Sequence, residues 1–165
     1  MDVISHALMG AILCLLFRAN GTAVFWIIFF SVFPDLTLIP AYIILGKKNK
    51  RFLWLAKNID WPGFSKNHPA LAMFYDITHS ILFAAFIILP AVIFFKLPGA
   101  SLIAYLFHIA IDVFSHKQEW AIKIFYPFDF KINGFSDAWA WPIKLMAISW
   151  AVLILIIFAL KFLIS

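Results

Sequence analysis

An all-α integral membrane protein, built as a bundle of about five transmembrane helices, is the fold class this sequence predicts. The first observation is composition. Of 165 residues, 65% are hydrophobic and only 13% are charged, where soluble domains are roughly half apolar and a quarter charged. Mean hydropathy is +0.99. A chain this short cannot hide so much apolar surface from water, and a disordered chain needs low hydrophobicity. The second observation is a series of apolar stretches near the roughly 20 residues that a helix needs to cross a bilayer. The third is that alternating ten-residue strand patterns are absent. Helices therefore satisfy the backbone in lipid, not a closed barrel. The length suits a single membrane-embedded domain, residues 1–165.

The elements follow in order. The first span, Val3–Phe17, is short and interrupted by His6; if it is re-entrant, four crossings remain. The second is Thr22–Leu45, in which Pro34 removes a backbone donor and predicts a kink that turns Asp35 into the bundle. The third is Pro69–Phe95, the fourth Pro98–Ser115 and the fifth Trp141–Leu163. Gly and Pro mark tight turns near Arg18–Gly21 and Lys96–Gly99. Two longer connections remain, a basic loop at 46–68 and a second loop at 116–140. Five crossings put the N-terminus and both loops on one side. Of the 13 basic residues only Arg18, Lys96 and Lys161 then lie opposite, so that side is cytoplasmic. The net charge of +5 belongs to these loops and to anionic lipid, and no nucleic-acid partner is expected. The N-terminus does not read as a signal peptide, since no basic residue precedes its apolar run. Trp54, Trp61, Trp120, Trp139 and Trp141 sit near span ends and read as an interfacial belt. The single Cys14 excludes a disulfide framework and a thiolate zinc cage, and reads as packing.

Ionisable groups at mid-membrane cost about 2.5–3.5 kcal/mol on insertion scales, yet His6, Asp35, Asp76, His79, His108 and Asp112 all lie in or beside spans. His6 opens span one, Asp35 is late in span two, Asp76 and His79 are early in span three, and His108 and Asp112 are late in span four. Because alternate spans run in opposite directions, all of them fall at one depth. His108, Asp112 and His116 are spaced i, i+4, i+8 and form a stripe on one helix face. Asp76 and His79 also share a face, and Asp2 and His6 repeat the i, i+4 spacing. Imidazole and carboxylate donors without thiolates suit Zn, Mn or Fe, and a site with an open position can acidify water. A blander reading has these His–Asp pairs satisfying one another inside the bundle. His116 reads equally as a ligand or an interfacial residue, and His68 and Glu119 read as loop residues.

These residues form a pattern. Met1–Gly10 resembles the M-D-x-x-T-H-x-L-x-G opening of the YdjM-like family of bacterial inner-membrane metal-dependent hydrolases. Phe33-Pro34-Asp35 is similar to its L-P-D motif, Thr78-His79-Ser80 to the end of its H-R-x-x-T-H-S motif, and His108 to Asp112 to its H-x-x-x-D motif. Tyr126-Pro127-Phe128 is similar to the W-P-F element that follows. The resemblance covers roughly residues 1–130. It implies a hydrolase of the bacterial inner membrane with His6, Asp35, His79, His108 and Asp112 as metal ligands, and Asp76 or His116 as residues that could compensate for missing family groups. Two positions depart: Thr37 stands where the family's second acid is usual, and Tyr75-Asp76 replace His-Arg. A sub-branch reading Y-D-x-T-H-S and H-x-x-x-D-x-x-x-H resembles this chain at those positions. A more distant similarity, to the His/Asp sites of zinc-dependent phospholipase C, points to phosphoester or lipid substrates.

The leading expectation is a hydrolase holding one or two divalent ions, zinc foremost, with Asp76 taking the proton of the bound water and an amphiphile entering sideways from the membrane. Two rivals are an ion- or proton-coupled transporter, for which buried Asp and His also serve, and a non-catalytic membrane protein with a structural His/Asp cluster. Absence of an inverted repeat speaks against the transporter; Thr37 and Tyr75 keep the structural rival in play.

Overall fold

The computed structural model describes residues 2–40, 43, 61–138 and 141–164. Most of the basic loop at 46–68, and Trp54 and Trp139 of the expected belt, lie outside them. The described chain is all-α: α1 Val3–Leu16, α2 Thr22–Leu36, α3 Trp61–Asn67, α4 Pro69–Thr78, α5 Ile81–Phe94, α6 Gly99–Ser115 and α7 Ile143–Ile164. Helix α2 packs between α1 and α6, and α7 lies along α1. Gly10 permits the close approach of α1 to α2, since a Cβ there would overlap Ser31 Oγ. Cys14 is buried with Leu13, Ile27 and Ala104 between these helices, as its apolar setting predicts.

The spans are shorter than expected. Among the described residues only α7, at 22 residues, is by itself long and apolar enough to cross a membrane. Helices α1, α2 and α6 have 14, 15 and 17 residues, or about 21–26 Å at 1.5 Å per residue. Helix α2 stops at Leu36, not Leu45, two residues after Pro34. There the Thr37 hydroxyl donates to the Pro34 carbonyl at 2.7 Å, which closes the last turn with a side chain.

The third span is broken. Helices α4 and α5 meet at 65° across His79 and Ser80. The Thr78 hydroxyl folds back onto the carbonyls of Phe74 and Tyr75 at 3.0 and 3.2 Å, a bond that competes with helix continuation. Ser80 then caps α5 by accepting from Leu82 N at 3.1 Å. The backbone freed by the break is answered from elsewhere, as burial requires. Ile81 N donates to Ile124 O at 2.8 Å. Ser80 Oγ lies 3.2 Å from the carbonyls of both Ile124 and Tyr126. Tyr105 Oη of α6 donates to Thr78 O. Farther on, α5 carries a π-helical stretch at Ala84–Ile88, next to Pro90, which has no N–H to give.

The second loop, expected to be a simple connection, is thus a structural plug. Within it, a β-bridge joins Ile122 to Ile132. Its returning arm seals the end of α6: Gly134 N donates to His116 O at 2.8 Å and Phe135 N to Phe114 O at 2.9 Å. Gly134 has no room for a Cβ against the Val113 and Phe114 carbonyls. Trp120 is not interfacial. It is 6% exposed and meets Tyr75 edge-on at 6.3 Å. His68 is half-buried at the start of α4, 4.9 Å from the Phe64 ring.

Candidate metal centre

Four helices deliver side chains to one buried point. Asp2 caps α1 by accepting from Ser5 N at 3.0 Å, which starts the helix one turn before His6. Asp35 comes from the last turn of α2, His79 from the break after α4, and His108 and Asp112 from α6. All five side chains are buried, none more than 2% exposed.

The distances define one cluster. His6 Nε2 lies 3.0 Å from Asp112 Oδ1 and 3.8 Å from Asp35 Oδ2. His79 Nε2 lies 3.4 Å from Asp112 Oδ2 and 3.8 Å from Asp35 Oδ1. His108 Nε2 lies 3.2 Å from Asp112 Oδ2 and 3.9 Å from Asp35 Oδ1. The two imidazole nitrogens His79 Nε2 and His108 Nε2 face each other at 3.3 Å. The His6 and His108 rings stack with centroids 3.7 Å apart.

Backbone carbonyls fix the tautomers. A carbonyl only accepts, so His79 Nδ1 donates to Tyr75 O at 2.8 Å and His108 Nδ1 donates to Ser31 O at 2.7 Å. Neutral imidazole has one N–H. The lone pairs at Nε2 of both residues are therefore turned toward each other and toward two carboxylates. This repels unless a proton or a cation stands among them. The arrangement is the one that metal-binding histidines use, with the remote nitrogen orienting the ring.

The donor set fits a divalent cation. Metal–nitrogen bonds of about 2.0–2.1 Å place tetrahedral donors about 3.3–3.4 Å apart, within the range of contacts above. His6, Asp35, His108 and Asp112 each offer a ligand atom, and these atoms lie within 4.8 Å of one another. Asp35 Oδ2 is buried and accepts no hydrogen bond among the described residues, a cost that a cation would remove. Asp112 has Oδ1 toward His6 and Oδ2 toward His79 and His108.

Other expected site residues are placed differently. His116 follows the end of α6 in extended backbone. The helical stripe therefore stops at Asp112, but the ring turns back: His116 Nδ1 donates to Asp112 O at 2.9 Å and lies 3.5 Å from Asp112 Oδ1. It stands behind Asp112. Asp76 points out of the cluster and pairs with Lys123 at 3.0 Å. Thr37 lies with Thr78 at 3.5 Å, away from the ligand atoms. The Tyr75 ring lies against His79, tilted 32°, with centroids 4.0 Å apart. Asp2 is no ligand; it accepts from Trp150 Nε1 of α7 at 3.0 Å. Sequence reasoning missed Trp150, Tyr105 and the carbonyl of Ser31. Only the first two carried a signal, an indole and a phenol inside apolar helices, each needing a partner when buried.

Beside the cluster is a cleft of about 420 Å³, between α4 and the second loop. Tyr75 and Trp120 form its inner wall, and Asp76 and Lys123 also line it.

Nothing among curated proteins and nothing among solved structures matches the chain. A family model described as YdjM inner membrane protein matches residues 1–165. The match extends past the four motifs to the whole sequence, including the plug and α7, and the chain belongs to the YdjM inner membrane protein family.

Proposed function

We propose that this protein is a membrane-embedded, metal-dependent hydrolase acting on a phosphoester or lipid-like substrate. His6, Asp35, His79, His108 and Asp112 would hold a divalent metal, with zinc the first candidate from their donor types. The observation that carries this reading is the pair of tautomer-fixed imidazoles facing two buried carboxylates. When bound, the metal supplies Lewis acidity and lowers the pKa of a coordinated water.

The remaining work belongs to the protein. Tyr75 O and Ser31 O hold two imidazole rings in the ligating orientation. His116 supports Asp112 from behind. Asp76, expected as the base, is engaged with Lys123 in the neighbouring cleft. The apolar surface of Phe158, Phe162 and Leu163 on α7 faces lipid. The N-terminus and both long loops lie in the cytoplasm, by the distribution of Lys and Arg.

The test is turnover of a phosphodiester such as bis(p-nitrophenyl) phosphate, and of phospholipids in mixed micelles, by zinc-reconstituted protein. Hydrolysis lost in Asp35→Asn supports the reading. Metal-loaded protein that turns over none of these, while passing ions in proteoliposomes, would replace it with the transporter.

A further inference from the structure

The cleft beside the cluster has a composition of its own. Its lining includes Met73, Glu119, Lys123 and Lys131, together with Tyr75 and Asp76. Asp76 and Lys123 neutralise each other at 3.0 Å, and Asp129 adds a second carboxylate to Lys123 at 3.5 Å. Lys131 and Glu119 are exposed and form no ion pair among the described residues. The cleft therefore offers a ligand one ammonium and one carboxylate. A purely anionic ligand would gain from Lys131 and be repelled by Glu119; a zwitterion satisfies both.

One wall is apolar. Met73 is 42% exposed and borders the cleft, and its neighbour Phe74 is 53% exposed. These lie on α4, one limb of the broken apolar helix pair, whereas Glu119, Lys123 and Lys131 lie on the plug. A ligand there meets hydrocarbon on one side and charge on the other. Its volume of about 420 Å³ is in the range of small-molecule sites. Tyr75 lines the cleft and its ring lies 4.0 Å from that of His79, so the cleft and the cluster share a wall.

We propose that this cleft is a headgroup site for a zwitterionic aminophospholipid, with the phosphate at Lys131, the ammonium at Glu119 and the acyl chains leaving past Met73. That the bound lipid is also the substrate rests on the hydrolase reading; the binding itself does not.

The experiment is calorimetric titration of the full-length protein in a non-ionic detergent with dihexanoylphosphatidylethanolamine. The comparison ligands are dihexanoylphosphatidylglycerol, dihexanoylglycerol and free phosphoethanolamine. The zwitterionic lipid is expected to bind at least about tenfold more tightly than each of them. Lys131→Glu and Glu119→Lys should each weaken it about tenfold. The double exchange, which restores the charge pair with its sense reversed, should regain most of that loss and show that the single variants are folded. Equal binding of dihexanoylglycerol or of dihexanoylphosphatidylglycerol would overturn the charge assignment. Equal binding of free phosphoethanolamine would overturn the lipid assignment in favour of a soluble solute. A double exchange that regains nothing would overturn the pairing with Lys131 and Glu119. Metal content measured on the same samples separates the two readings. Lost lipid selectivity with metal retained removes the headgroup site alone; lipid binding without metal removes the hydrolase alone.

Discussion

Single side chains decide whether the cluster exists. Asp112 faces three imidazoles at 3.0–3.4 Å. Removing one partner of a buried charged network costs about 3–5 kcal/mol, so Asp112→Ala is expected to lower the thermal midpoint in detergent sharply as well as to release metal. Trp150 works at a distance. Its indole donates to the Asp2 carboxylate at 3.0 Å and lies 3.2 Å from Ser5 Oγ. It thereby ties α7 to the turn that carries His6. Trp150→Phe keeps the packing and loses about 1 kcal/mol of hydrogen bonding. The expected signature is a weakened metal affinity with unchanged metal stoichiometry, read by competition with a chromogenic chelator. An unchanged affinity would show that the clasp does not position His6.

Lys123 gives a pH prediction outside the spans. Partial burial alone would lower its pKa, but the carboxylates of Asp76 and Asp129 outweigh that and raise it above 10.5. A raised folded value means that the stabilisation is full below the unfolded lysine value and is lost as pH climbs through the folded one. Thermal midpoints measured across the alkaline range should fall for the wild type, and Lys123→Met should flatten that limb. Equal alkaline slopes in the two proteins would contradict the assignment.

The residues of the site were legible because chemistry places them. Ionisable groups are expensive in apolar helices, and alternate helix direction puts His6, Asp35, His79, His108 and Asp112 at one depth. The role of Asp76 was not legible. Its i, i+3 spacing to His79 assumes a continuous helix, and the chain breaks at His79 itself.

At the scale of elements, the break between α4 and α5 is the device that presents His79. The motif Thr78-His79-Ser80 divides the labour: Thr78 ends one helix, His79 points inward and Ser80 starts the next. Ser80→Ala removes the cap and the contact to the plug at Ile124 and Tyr126. A lost cap costs about 1 kcal/mol. Faster hydrogen exchange at Ile81 and across 120–126 is the expected readout, and unchanged exchange there would refute the plug's role. Hydropathy could not reveal this break, since both limbs are apolar and the partners of the freed backbone groups come from distant sequence. Nor could it show that 116–140 is a plug. That depends on Gly134 fitting against the carbonyls at the end of α6, a contact between segments.

At the scale of the molecule, helix class and connectivity followed from composition, whereas span lengths did not. A hydropathy window runs through Pro34 and Thr37, but backbone hydrogen bonding ends α2 at Leu36. The end of the bundle that holds the cluster is therefore capped by polar side chains and by the plug, and among the described residues only α7 is by itself of membrane length. Helix α7 lies along α1, and the distribution of Lys and Arg predicts the N-terminus and C-terminus on opposite sides. Reporter fusions at the two ends should give opposite accessibility; the same side for both would require four crossings.

The most direct measurement is the metal content of protein purified in mild detergent, by inductively coupled plasma mass spectrometry, wild type beside His108→Ala/Asp112→Ala. The account expects near-stoichiometric zinc, manganese or iron in the wild type and its loss in the variant. No metal in the wild type even after reconstitution, or equal metal in both, would contradict it and leave the buried His/Asp cluster as a structural or proton-handling network.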